Sequence, residues 1–318
     1  MRKISERMKL FSDLPSRKET SALLAFLAAW MTETCIFMEL RPEHFVITAL
    51  VLVFFFISRY TRKMAVAMLP FVLFGISYDL MRIVPNYEVN PIDVRDIYEA
   101  EKSLFGVATA QGVLTPNEYF QIHNSPVMDF MAGVFYLCWV PVPMLFGLWL
   151  FFTRQHKTYL HFSMVFLFVN LLGYIGYYIH PAAPPWYIMK HGFEPIINTM
   201  GDIAGLVKFE QMTGWNVFDA IYARNANIFA AVPSLHSAYM TITFAYSFRS
   251  RCGNFVRCLF AVIMCGIWFT AVYTSHHYII DVVLGVICAA AGIILFEKGL
   301  MRIPCFNRFM RNYARYIE

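Results

Sequence analysis

The chain has 318 residues, 58% hydrophobic and only 15% charged, against roughly 25% charged in an average soluble domain. That imbalance excludes an ordinary soluble fold. The net charge of +5 is explained by where the basic residues fall, so nucleic acid is not an expected partner.

Eight apolar runs follow one another at 22–40, 44–60, 64–81, 127–152, 159–179, 228–248, 258–274 and 279–296. Most match the ~17–25 residues a helix needs to cross the hydrocarbon core. The predicted fold is all-α, a polytopic transmembrane helical bundle of about eight spans. Before the first run lie about twenty basic-rich residues without a signal-peptide cleavage site. Between the third and fourth, the loop 82–126 carries helical spacing over Asp96–Phe105 and Pro116–His123, which predicts helices lying flat at the interface. After the fifth comes His180-Pro-Ala-Ala-Pro-Pro-Trp-Tyr187, whose prolines predict a non-helical segment, with Trp186 and Tyr187 suited to the headgroup layer. Pro70, Pro141 and Pro143 fall inside spans, which is tolerated where neighbouring helices satisfy the freed carbonyls.

Nineteen of the 26 Lys and Arg residues lie in the N-terminus, the turns at 59–63, 153–158 and 248–257, and the tail. Eight spans put all five segments on one side, so the positive-inside rule predicts cytoplasmic termini. All seven cysteines lie in spans or cytoplasmic segments, and neither an external disulfide framework nor a Cys-x-x-Cys metal pair is expected.

Two segments carry chemistry. Ala231-Val-Pro-Ser-Leu-His236-Ser opens the sixth span, and Ser275-His-His-Tyr-Ile-Ile-Asp281 joins the seventh to the eighth. Alternation brings both to the non-cytoplasmic face, where the 180–187 segment also arrives. His277 and Asp281, four residues apart, share a helix face. The carboxylate there fixes the imidazole tautomer and leaves the other nitrogen as nucleophile. His236, from another helix, is positioned to protonate the leaving oxygen and then deprotonate the acceptor. Ser234, among the free amides of a first helical turn, is a candidate for anion binding. A lone His-x-x-x-Asp is common and a lone loop histidine is usually polar surface, but ionisable groups at membrane spans are functional by default. Asp79 and Asp129, near span ends, are expected to reach water; His123, His180 and His191 are expected to be loop or interface residues.

These residues resemble a known family. Pro233-Ser-Leu-His236 is similar to the Pro-Ser-Gly-His signature of the type 2 phosphatidic acid phosphatase superfamily, and His277 to Asp281 is similar to the end of its Ser-Arg-x5-His-x3-Asp signature. The resemblance covers roughly 126–296. It implies a six-helix core, a phosphohistidine on His277 oriented by Asp281, His236 as acid and base, and neither metal nor cofactor. The expected organisation is 1–125 for the N-terminal spans and first outer loop, 126–296 for the catalytic core and 297–318 for a basic cytoplasmic tail.

The superfamily's Lys-x6-Arg-Pro has no counterpart, since His180 and Gly173 stand at those positions, and the arginine of the second signature falls at Ala271. Missing cations suit a singly charged phosphodiester, which points to a headgroup transferase. Pro181–Tyr187, Tyr273–Tyr278 and Arg95–Gly106 resemble the inositol phosphorylceramide synthase branch. That resemblance implies transfer of phosphoinositol from phosphatidylinositol to ceramide or dihydroceramide with release of diacylglycerol. The short chain resembles bacterial more than fungal members, hence an inner membrane. A lipid phosphate phosphatase is the alternative enzyme; a transporter or scaffold would place its charges at mid-span instead. The charge developing on the phosphoryl oxygens still needs a partner, for which Arg41, Arg82, Arg95, Lys102, Lys190, Lys208, Arg224 and a protonated His276 are candidates. Arg95 is preferred among the charged side chains because it lies in the resembled segment. The candidate substrate-binding set is thus Ser234, His276, Arg95, Trp186 and Tyr187.

Overall fold

The computed structural model describes residues 14–110, 112–223 and 227–318. Helices occupy all eight apolar runs. α1 (Arg17–Phe37) starts at a capping box in which Ser16 and Glu19 exchange hydrogen bonds, satisfying amides that a first turn leaves unpaired. α2 (Pro42–Ile57) is followed by α3 (Arg59–Ala67) and α4 (Leu69–Leu80), which meet at 45°. Pro70 has no amide to give the preceding turn, so the helix breaks there. Pro141 does the same between α7 (Pro126–Leu137) and α8 (Pro141–Phe152), bent by 41°. The long α9 (His156–Ile179) comes next, and after the second outer loop α13 (Leu235–Ser247), α14 (Asn254–Tyr273) and α15 (Ile279–Ile294).

Four of the described helices are long and apolar enough to cross a membrane, or six if each bent pair is one span. The other two expected spans are shorter, α2 with 16 residues and α13 with 13. α13 is short because its motif segment stays extended before the helix begins.

The core forms around α4, α9, α13 and α15. Phe74, Phe166 and Tyr239 bring rings from α4, α9 and α13 together with centroids 4.6–5.8 Å apart. α4 thus packs into the same core as the later spans. The polar end of Tyr239 is satisfied at depth by Asn170, 2.6 Å away. Gly285 lets α15 approach α13 so closely that a Cβ would run into the Ser234 carbonyl and the Ser237 hydroxyl, the small-residue contact by which membrane helices pack. Exposed apolar side chains such as Leu24, Val53, Phe56, Val262 and Ile287 face outward from α1, α2, α14 and α15. In a bundle of this kind that surface meets lipid.

The basic turns gather at one end. Tyr316, on α16 (Pro304–Ile317), donates to Glu19, and Tyr313 to the Val66 carbonyl. Arg251 donates its amide to Gln155, and Glu297 receives His161, Tyr246 and Arg249. Since α13 and α15 both run toward this end, their motif-bearing N-termini lie at the opposite one.

The two long loops at the motif-bearing end differ from expectation in two ways. The first holds α5 (Arg95–Phe105) and α6 (Pro116–Ile122), but between them a short antiparallel hairpin pairs Val107 with Leu114. In the second, Pro181–Pro184 is extended, yet Pro185 opens a helix, α10 (Pro185–His191). Proline is compatible with a first helical turn, where its missing amide has no partner to lose. α11 (Val207–Thr213) and α12 (Val217–Tyr222) complete that loop.

Candidate active site

The two motifs meet because their helix starts are bonded to each other. The Ser234 amide donates to the Asp281 carbonyl at 2.9 Å, and the Ser237 hydroxyl donates to the Ser234 carbonyl, with the Val282 carbonyl 3.1 Å away. The turn before α15 is drawn back by Ala271, whose carbonyl accepts both the His276 and the His277 amides at 3.0 and 2.9 Å. Asp281 caps its own helix, taking the Tyr278 amide on Oδ2 at 2.9 Å.

A continuous chain of polar groups results. Asp281 Oδ2 lies 3.3 Å from His277 Nδ1, His277 Nε2 lies 3.0 Å from His236 Nδ1, and His236 Nε2 lies 3.0 Å from the Tyr136 hydroxyl. That hydroxyl is in turn hydrogen bonded to Tyr222. The bonding fixes the ligand-free protons: His277 donates Nδ1–H to the carboxylate, so its Nε2 lone pair receives Nδ1–H of His236, whose Nε2 receives the tyrosine proton. Burial pushes His277 down to about 4, so its ring is neutral near pH 7, as a nucleophile must be.

Beside this chain lies a cavity of about 180 Å³ walled by Tyr78, Trp139, Trp186 and Tyr222, with His236, His276 and His277 as its ionisable edge. No Lys or Arg stands among its described lining residues. His276 is 4% exposed, and Asp202 lies close enough to its ring to favour the protonated form against the burial that opposes it. Its Nδ1 is 2.8 Å from the Thr274 hydroxyl, which is itself 2.7 Å from the Thr270 carbonyl. The Thr274 hydroxyl therefore joins the His276 ring to the end of α14. Burial, with His236 and His277 close by, holds His276 well below the usual histidine range. The expected protonated His276 is therefore corrected to a neutral ring, which burial favours.

The other expected site residues divide sharply. His236, His276, His277 and Trp186 line the cavity, with Asp281 directly behind. Ser234 does not: it is fully buried, and its side chain is spent on capping α13. Tyr187 is fully buried too, its hydroxyl donating to the Glu194 carbonyl and accepting the Ile196 amide, which pins the following loop. Arg95 lies away from the cavity, its guanidinium 4.2 Å over the Phe193 ring in a separate groove. The remaining outer cations have partners: Arg41 and Arg82 on Asp79, Lys190 on Asp202, Lys208 on Asp129, and Lys102 near Tyr98. Arg224 lies outside the described residues. Asp79 and Asp129, expected to reach water, are instead taken by those cations, by His44 and by Tyr273.

Two of the three absent motif cations meet a steric bar, while His180, at the third position, is half-exposed and pairs with Asp93. At Gly173 even a Cβ would come within 2.6 Å of Leu235, and Ala271 is fully buried. Sequence reasoning missed Tyr136 and Tyr222. Tyr136 had a signal, since it lies seven residues after Asp129 on one face of the otherwise apolar α7, with only the small Ala132 and Gly133 between them on that buried face. Tyr222 had none.

The family model described as the PAP2 superfamily matches residues 110–295, more than half of the chain. The chain belongs to the PAP2 superfamily. Within and around it, the phosphoinositol dihydroceramide synthase of Bacteroides thetaiotaomicron is 56% identical over 305 residues, covering 96% of this chain and all of that protein. The inositol phosphorylceramide synthase catalytic subunit of Saccharomyces cerevisiae is 33% identical over 37% of this chain and 29% of its own length. That of Schizosaccharomyces pombe is 24% identical over 77% of this chain and 56% of its own. No solved structure matches the chain with significance. The PAP2 match ends just past α15 and so spans both motifs.

Proposed function

We propose that this membrane enzyme transfers phosphoinositol from phosphatidylinositol to the primary hydroxyl of ceramide or dihydroceramide, releasing diacylglycerol. The relative that it matches end to end is named for that product class. The observation that carries the mechanism is the Asp281–His277–His236–Tyr136 chain at the edge of an aromatic cavity without lysine or arginine among its described lining.

The chemistry follows from the geometry. The two imidazoles face each other with His277 Nε2 3.0 Å from His236 Nδ1, so a phosphorus placed between them comes within the about 3–3.5 Å of His277 Nε2 that attack needs. A proton taken up from water with the anionic diester makes His236 an imidazolium, its Nδ1–H facing the bridging oxygen and its new Nε2–H turned to the Tyr136 oxygen, whose own proton rotates away. His277 Nε2 forms the P–N bond as the P–O bond to diacylglycerol breaks, and the departing oxygen takes the Nδ1 proton. In the second half the acceptor's hydroxyl gives its proton to the same nitrogen, its oxygen bonds phosphorus, and the P–N pair returns to His277. Asp281 holds the tautomer and balances the charge on His277. A single negative charge in a buried, low-dielectric site is met by the His236 imidazolium and by hydroxyl donors such as Tyr222 at the cavity wall, which act more strongly there than in water. The His276 ring, at the cavity edge, is placed to hydrogen bond a hydroxyl of a polyol headgroup, and the rings of Trp139, Trp186 and Tyr222 supply apolar walls for its carbon face.

The gathering of basic turns at the end opposite the site supports cytoplasmic termini and chemistry at the non-cytoplasmic face. The deciding experiment incubates purified enzyme with labelled phosphatidylinositol, with and without ceramide. A transferase forms inositol phosphorylceramide only when ceramide is present; phosphate or inositol phosphate release that ignores ceramide would establish the phosphatase reading instead.

A further inference from the structure

The histidine–aspartate segment is held from outside by the first outer loop. Glu101, on α5, is fully buried and places its carboxyl oxygens 2.9 Å from the Ile279 amide and 3.1 Å from the Ile280 amide. Asn117, on α6, is fully buried as well and donates Nδ2 to the Val272 and His277 carbonyls at 2.8 and 2.9 Å. Gln121, one helical turn further, donates to the Ser275 hydroxyl at 2.9 Å. Three side chains from two loop helices therefore bracket residues 272–280 on both flanks of the nucleophile.

We infer that Glu101 and Asn117 are positioning residues for the His277–Asp281 pair. Backbone donors compete for the Asp281 carboxylate. The first turn of any helix has amides without intrahelical partners, and here α15 starts immediately after His277. Asp281 Oδ2 already serves the Tyr278 amide as well as the imidazole. Glu101 takes the next two amides, which would otherwise draw on the same Asp281 carboxylate and turn it away from His277. Asn117 fixes the other variable, the height of the His277 peptide, by tying its carbonyl to the end of α14. With the peptide and the carboxylate both fixed, the imidazole can rotate only about its side-chain bonds, so Nε2 stays aimed at His236 and the cavity. The burial that makes Glu101 hard to ionise, raising it to about 7, fits a group retained for a bonding task rather than for solubility.

The inference rests on the phosphohistidine reading, and the test separates the two. Turnover and donor KM are measured for wild type, His277→Ala, Glu101→Gln and Asn117→Leu in the same detergent, normalised to monodisperse folded protein. Gln at 101 keeps one acceptor but turns an NH₂ group toward the second amide; Leu at 117 keeps the volume and loses both donors. Each variant is expected to lower kcat by about 10–100-fold while KM for phosphatidylinositol stays within about twofold, because a misaimed nucleophile affects the chemical step more than binding. The double variant is expected to be no worse than about the poorer single, as both act on one orientation. A purely structural role predicts less folded protein with normal kcat per folded molecule. Normal kcat in Glu101→Gln and Asn117→Leu with His277→Ala inactive would overturn the positioning role alone; an active His277→Ala would overturn the mechanism beneath it. If one single variant fails to fold, the other decides, since each makes its own contact with the segment.

Discussion

Replacing Tyr136 by Phe tests the polar chain at its least conspicuous link. The substitution removes one oxygen and leaves the ring that packs against Trp139, Phe218 and the His236 imidazole. In the catalytic cycle proposed above, that oxygen, 3.0 Å from His236 Nε2, is the acceptor for the imidazolium's second N–H. Without it the N–H faces hydrocarbon at the moment His236 is charged. A hydrogen bond to a charged buried group contributes about 1.5–3 kcal/mol, which at 1.36 kcal/mol per decade is about 10–150-fold in rate. The loss should appear in kcat, with donor KM nearly unchanged, because the charge is present when the leaving oxygen is protonated. Tyr222→Phe, which removes only the partner of that partner, should cost less, about two- to tenfold by the same reasoning for a neutral hydrogen bond. The assay is initial-rate transfer to a fluorescent ceramide in lipid nanodiscs over a range of phosphatidylinositol. A Tyr136→Phe enzyme within twofold of wild type in kcat would refute the relay as drawn.

Other outcomes follow from the same geometry. His277→Ala and Asp281→Asn should each lower turnover by about 10²-fold or more, the scale of a positioned nucleophile or acid–base group, and acid-labile phosphoprotein should be absent from His277→Ala after a donor-only incubation. Arg95→Gln should leave kcat within about twofold at saturating lipid, because its guanidinium stacks on Phe193 away from the cavity; a tenfold fall would return Arg95 to the site. In a cysteine-free background, cysteine at the exposed Met212 should react with an impermeant thiol reagent added outside, and cysteine at exposed Asn254 should not. Asn117, although in an outer loop, is fully buried and should resist the reagent from either side. Glu101 also predicts a pH effect on stability. Its carboxyl is raised to about 7 from the ordinary 4.5, so the folded state favours the protonated form. That contribution is complete below about pH 4.5 and is lost as pH rises through 7. Melting temperature should therefore fall more steeply between pH 5 and 8 in wild type than in Glu101→Gln.

The sequence by itself determined whatever depends on local pattern. Apolar runs of span length gave the helices, because a segment in hydrocarbon must satisfy its own backbone. Basic turns placed on one side by alternation do cluster, as the contacts among Glu19, Gln155, Arg251 and Glu297 display. Two short motifs brought by that alternation to one face were enough to place His236 beside His277, since each sits at the start of a helix whose direction was already set. Tertiary structure decided what depends on packing across the chain. Tyr187 carries a hydroxyl that suits a ligand, but the following loop has already satisfied it, and the Ser234 hydroxyl is taken by the first turn of its own helix. Arg95 shares a segment with Glu101, yet the turn of one amphipathic helix sends the arginine to a surface ring and the glutamate to the catalytic junction. A buried acid on the apolar face with Val94 and Ile97 was a readable sign that Glu101 has a partner; which partner was not readable. Hydrogen bonds such as Glu101 to Ile279, separated by 178 residues, arise from how helices pack, and a helix's own periodicity records only that a face is buried, never what is buried against it.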